Sequence, residues 1–169
     1  MTRALPMFER PDVCGPCGGV CCKHMPGAAL PEDFGLSAGD SIAPVRAALA
    51  SGRWSLDWWE GDPRPKKYEL SRALFVRPRI VNAPVADPSF GGRCSWLGEH
   101  GCTAPEERPS GCRGLEPSPP RCVVRHSSKQ DAAIAWLPFA AELEKLAAEH
   151  GRPSYDDDDD EWPDVEDNA

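Results

Sequence analysis

Four cysteines fall within nine residues near the start of the chain, in the run Cys14-Gly15-Pro16-Cys17-Gly18-Gly19-Val20-Cys21-Cys22. Two thiolates separated by two residues close around one metal ion, and the three glycines let the backbone bend tightly enough for it. On extended backbone the neighbours Cys21 and Cys22 point to opposite sides. A bend would bring both to one ion; the easier arrangement places them on two nearby sites or leaves one spare. A second set, Cys94, Cys102, Cys112 and Cys122, follows at spacings of 8, 10 and 10 residues. Eight donors make either two four-coordinate sites or one four-cysteine site with several thiols left over. His24, His100 and His126 lie beside these cysteines. Each is a candidate substitute for a thiolate, set against an ordinary surface or turn role.

Metal binding is preferred to disulfide formation because of the expected compartment. Residues 1–11 carry no apolar stretch of the secretory type, and no run of about 18 apolar residues offers a membrane span. The sequence therefore reads as cytoplasmic, with no membrane partner. In a reducing cytosol, clustered cysteines bind metal or carry out redox chemistry. A secreted disulfide protein is the competing reading.

The 19 prolines and 15 glycines interrupt nearly every apolar run, so the expected core is modest and in need of staples. The expected fold is α+β: a small, loop-rich, metal-stapled single domain with a short β-hairpin and a few helices, followed by a disordered acidic tail. Residues 1–13 read as a flexible lead-in, 14–151 as the cysteine-cluster domain and 152–169 as the tail.

Within the domain, residues 30–34 suggest a turn or short helix. Asp40 or Ser41 would cap a helix running to about Ala50, with Pro44 tolerated near its first turn. Trp54, Trp58 and Trp59 fit neither a clean strand nor a long helix and read as core filling. A strand is expected from Tyr68 to Val76, with a second β segment at residues 79–81. Residues 93–103 suggest a hairpin turning at Gly98 and Gly101. Residues 104–122 look irregular, with metal as their ordering force. A last helix is expected from Leu137 to Glu149, with Pro138 in its first turn and Leu143 and Leu146 on its buried stripe.

Two further features carry a family resemblance when taken with the first cluster: Cys94-x-Trp96-Leu97 leading to Gly101-Cys102, and Arg108-Pro109-x-x-Cys112-Arg113. Together with Cys14-x-x-Cys17-x-x-x-Cys21-Cys22 they resemble the bacterial YkgJ-type cysteine-cluster proteins, a family described as a zinc- or iron-chelating domain. The resemblance covers about residues 10–117. It implies metal binding, with Cys14, Cys17, Cys21, Cys22, Cys94, Cys102 and Cys112 as chelating residues. Cys122 and the acidic tail lie beyond the pattern; Cys122 is kept as a candidate ligand on the spacing argument alone.

Zinc needs only four good ligands, and iron–sulfur clusters also use four thiolates. The spacing is not that of a ferredoxin, and the order of gaps is not that of a radical-SAM enzyme. Zinc is slightly favoured over iron. No phosphate-binding loop, nucleophile elbow or zinc-protease helix motif is present, so no catalytic residue is assigned. The expected function is a metal-stabilised interaction module. An iron–sulfur redox or protein-modifying enzyme subunit is the alternative, and a metal store or chaperone is a third reading.

The net charge of −8 belongs to the tail. Residues 152–169 hold nine acids and one base, which leaves 18 acidic and 18 basic residues in 1–151. Five consecutive aspartates favour an extended, solvated segment. Arg64, Lys66, Lys67, Arg72, Arg77 and Arg79 suggest a basic surface for a nucleic-acid or acidic protein partner, which the tail could occupy in cis. The plainer view scatters these bases over a solvated strand and loop.

Overall fold

The computed structural model describes residues 19–59, 73–86, 91–99, 101–113, 115–116, 123–124 and 129–151. The lead-in at 1–13, the tail at 152–169, Cys14, Cys17, Cys122, His100 and His126 lie outside the described residues. So do Arg64, Lys66, Lys67 and Arg72, and the side chain of Cys21. The described part is a small α+β fold.

Its centre is an antiparallel pair, β1 (Trp54–Trp58) and β2 (Leu74–Pro78), with Leu56 opposite Val76. The tryptophan stretch is thus a strand, contrary to expectation. Trp54, Ser55, Leu56 and Asp57 are all buried, so the apolar–polar alternation that marks a half-exposed strand is absent. Strand β2 is buried at every position and runs on to Pro78, beyond the expected end at Val76. Its neighbour Ile80 forms an isolated bridge to Cys94, and no further strand occurs at 79–81.

Loops flank both strands. The Ala29 N–H donates to the Val76 carbonyl at 2.8 Å, and the Leu56 N–H to the Val85 carbonyl at 2.7 Å. The main-chain groups at both edges therefore find partners without a larger sheet.

Helix α1 (Val20–His24) carries Cys21 and Cys22, so this pair sits on helical rather than extended backbone. Residues Pro31–Phe34 form a 3-10 turn. Helix α2 (Ala43–Ala50) accepts Pro44 in its first turn, where the missing N–H has no intrahelical partner to lose, and it buries Val45 and Leu49. The hairpin expected near residue 100 is present as β3 (Leu97–Gly98) and β4 (Gly101–Cys102).

Residues 104–122 are less irregular than expected. They include a 3-10 turn at Pro105–Glu107, helix α3 (Ser110–Arg113) and strand β5 (Leu115–Glu116), which pairs with β6 (Val123–Val124). The last helical region begins earlier than Leu137. Helix α4 (Lys129–Trp136) leads through a 3-10 turn, Leu137–Phe139, into α5 (Ala140–Glu149). Pro138 occupies the 3-10 turn between two helices rather than the start of one.

Both α4 and α5 pack on β2. Ala132, Ala133 and Trp136 from α4, and Leu143, Leu146 and Ala147 from α5, are fully buried there. A chain of edge-to-face aromatic contacts runs from Phe139 through Trp136, Phe34 and Trp54 to Trp96, with centroid separations of 5.7, 5.9, 5.0 and 4.7 Å. Each such pair adds about 0.5–1.5 kcal/mol beyond area burial. The indole N–H groups are also used: Trp136 donates to the Ala29 carbonyl at 2.8 Å and Trp96 to the Arg53 carbonyl at 3.1 Å. Trp54 is buried and Trp58 and Trp59 half-buried, which fits core filling. No helix among the described residues is long and apolar enough to cross a membrane.

Candidate metal centre

The main chain draws cysteines from both ends of the sequence pattern together. The Cys94 N–H donates to the Cys22 carbonyl at 2.7 Å, and two residues away the Gly92 N–H donates to the His24 carbonyl at 2.6 Å. Helix α1 is thus laced to the segment 92–94. That segment is held from its other side by β2's continuation, through the Ile80–Cys94 bridge and the Ser95 N–H to Arg79 carbonyl bond of 2.8 Å.

Cys94 is buried and Cys102 half-buried. The two are linked through β3 and β4, where Leu97 faces Cys102 and the Leu97 N–H returns to the Cys94 carbonyl at 3.1 Å. Burial pushes the Cys94 thiol up, and the nearby Cys102 side chain pushes it further. The backbone N–H groups of Trp96 and Leu97 and the charge of Arg77 act the other way. A thiol so placed gives up its proton less readily than an exposed one.

Cys112 arrives by a different route. A Cβ added at Gly27 would lie 2.5 Å from the Cys112 nitrogen and 2.9 Å from its sulfur, and one at Gly111 would lie 2.6 Å from the Ala28 nitrogen and carbonyl oxygen. Only glycine permits this approach of two backbones, which the Gly111 N–H to Ala28 carbonyl bond of 2.8 Å completes. The segment after α1 therefore carries Cys112 at Gly27, while α1 itself carries Cys94 at Cys22.

One carboxylate locks the Cys112 turn in place. Asp33 accepts from the Ser110 N–H at 2.8 Å, the Ser110 hydroxyl at 2.8 Å and the Leu30 N–H at 2.9 Å, and it also receives the Arg113 guanidinium. Its side chain is 3 % exposed. These bonds are a second ordering force on residues 110–113, beside the metal expected from the sequence. The sequence signal was present, since an aspartate at the third position of a Pro-led turn commonly turns back to the preceding N–H groups.

Cys22, Cys94, Cys102 and Cys112 are not joined in disulfides. Among the described residues, no three His, Cys, Asp or Glu side chains are grouped as a ready metal cage. His24 is exposed. The donors suit a thiophilic ion by their chemistry, and a main-chain bond places Cys22 and Cys94 on adjoining segments. A complete four-thiolate shell would also draw on Cys14, Cys17, Cys21 or Cys122, whose sulfurs lie outside the described residues.

The basic surface expected at 64–79 changes character where it is described. Arg77 is buried against Asp57, with Nε 2.8 Å from Oδ2. Arg79 is partly buried and donates to the Ala83 carbonyl at 2.9 Å. Arg77 is thus withdrawn from the expected surface, while Arg79 stays half-exposed and tied to main-chain carbonyls. Sequence reasoning missed the buried Asp57, whose neighbours Trp58 and Trp59 gave no hint of an interior charge. Set beside known proteins, the chain matches no protein-family model, no curated protein and no solved structure.

Proposed function

We propose that the chain is a metal-binding protein whose clustered cysteines hold zinc, and that the metal stabilises an interaction module rather than a catalytic centre. The observation that supports this reading is the hydrogen bond between the Cys94 amide and the Cys22 carbonyl, which joins one cysteine of the early set to one of the late set. The likeness of the spacing to YkgJ-type proteins supports it. A cytoplasmic setting, where thiols stay reduced, goes with this reading. Bound zinc would supply charge neutralisation and cross-linking of distant segments.

Anaerobic purification followed by metal analysis and an optical spectrum tests the reading. A colourless protein with stoichiometric zinc is the expected result. Broad visible absorption with iron and sulfide would replace zinc by an iron–sulfur cluster and move the protein towards a redox or modifying role. Absence of any stoichiometric metal would overturn the proposal.

A further inference from the structure

We propose that Asp33 is a positioning residue for Cys112, holding that sulfur in place for the metal; the inference rests on the metal reading above. Cys112 has no strand or long helix to fix it. It sits in α3, a single turn of four residues, between Pro109 and the chain that leaves towards β5. Helices this short do not hold themselves together. The turn is instead tied at two points to the segment that follows α1.

The first tie is the Gly27–Gly111 approach, which sets how closely the two backbones lie. The second is Asp33. Its Oδ2 takes the Ser110 and Leu30 N–H groups, and its Oδ1 takes the Ser110 hydroxyl and the Arg113 guanidinium. The donors on α3 thus bracket Cys112, at two residues before it and one after. Hydrogen bonds to an ionised carboxylate are the strong class, and this one is shielded from water. The Arg113 side chain also reaches the Arg108 carbonyl, closing the turn on itself.

The carboxylate therefore adds a second anchor, beside the Gly27–Gly111 approach, between the Cys112 turn and the segment that follows α1. A ligand held this way costs little ordering on metal uptake. One released from it must be ordered by the metal itself, and exchanges more readily with solvent.

The test is alkylation of the zinc-loaded full chain with iodoacetamide, read cysteine by cysteine by peptide mass mapping, in the wild type, Asp33→Asn and Ser110→Ala. Zinc should protect Cys94 and Cys112 in the wild type. In Asp33→Asn, Cys112 should alkylate at least about tenfold faster with Cys94 still protected, because each charge-assisted bond lost raises local opening by that order. Ser110→Ala removes one hydroxyl donor, keeps the fold safer, and should show the same selectivity with a smaller increase. Equal acceleration at Cys94 and Cys112, or none at either, would overturn the positioning role while leaving the metal reading intact. A wild-type Cys112 that alkylates equally with and without zinc would remove Cys112 from the ligand set, and the positioning role with it.

Discussion

The Asp57 carboxylate and the Arg77 guanidinium meet 2.8 Å apart, diagonally across β1 and β2, with side chains 0 % and 1 % exposed. Asp57 also accepts from the Trp58 N–H at 2.7 Å and lies 3.6 Å from the Lys129 ammonium of α4. Burial pushes the Asp57 carboxyl up, and Arg77 and Lys129 pull it back. The ion pair thus joins the sheet to the helix that covers it.

Removing one partner of this pair should be costly, and removing both much less so. Arg77→Met leaves the carboxylate short of a cation in the interior, at a cost of about 3–5 kcal/mol. The double variant Asp57→Leu with Arg77→Met removes the buried charge and should recover most of that loss. In Arg77→Met the Asp57 carboxyl rises further. A raised carboxyl favours folding fully below its unfolded value of about 3.9 and loses that favour as pH rises through the folded value. The deficit against wild type should therefore narrow towards pH 4. Urea unfolding of the four proteins of the cycle checks this, and a double variant as unstable as the sum of the singles would contradict it.

On the surface, Arg46 of α2 grips Glu149 of α5 with its two terminal guanidinium nitrogens, Nη2 at 3.0 Å from Oε1. The hydrogen bond from Arg46 holds the Glu149 carboxyl below its usual value. Its contribution is present above the unfolded-state value and disappears as pH falls through the lower folded one. Both side chains are about half exposed, so screening limits the effect. Arg46→Gln should lower the melting temperature slightly at pH 7 in dilute buffer. The difference should vanish in about 1 M salt, where the Debye length is about 3 Å. A deficit that persists there would point to packing rather than charge.

A methyl group at Gly27 tests the cysteine geometry directly. The new Cβ would meet the Cys112 nitrogen at 2.5 Å and the sulfur at 2.9 Å, distances that force one backbone to move. Gly27→Ala should cost about 1–3 kcal/mol, as overpacking does, and should weaken zinc retention against a competing chelator. Gly39→Ala is the contrast: its φ of 92° strains the backbone, yet nothing lies within 4 Å of the added carbon. It should reduce stability without touching zinc retention. Equal zinc loss in both variants would show that retention follows global stability alone.

Local signals made part of this fold legible. The pair Gly98 and Gly101 marked the hairpin, Pro44 fell in the first turn of α2 as expected, and Leu143 and Leu146 gave the buried stripe of α5. Strand β1 was hidden because burial on both faces removes the alternation by which strands are recognised. Arg77 looked like part of a basic surface because a sequence shows charge but not burial. Helix α4 was hidden before Pro138, which read as a helix start and proved to sit in a 3-10 turn between two helices. At the candidate centre, residue types and spacing singled out the cysteines. Asp33 and Gly27 escaped notice because their importance comes from tertiary approach to residues about 80 positions away.

Metal removal should act unevenly across the molecule. The β1–β2 pair, α4 and α5 are joined by buried Trp136, Phe75, Leu143 and Leu146 and by their own hydrogen bonds, so this part has a core independent of any ion. Helix α1 is only five residues long, and among the described contacts it is held to the segment 92–94 chiefly by two main-chain bonds. A zinc ion spanning the early and late cysteines would stabilise that contact more than any other. Chelation should therefore lower the melting temperature and raise hydrogen exchange first at residues 20–24 and 91–113. Amides of β1, β2, α4 and α5 should keep the greater part of their protection. Restoring zinc should reverse both changes. An unchanged melting curve and exchange pattern, after metal loss has been verified by analysis, would show that the cysteines do not bear on the stability of this fold.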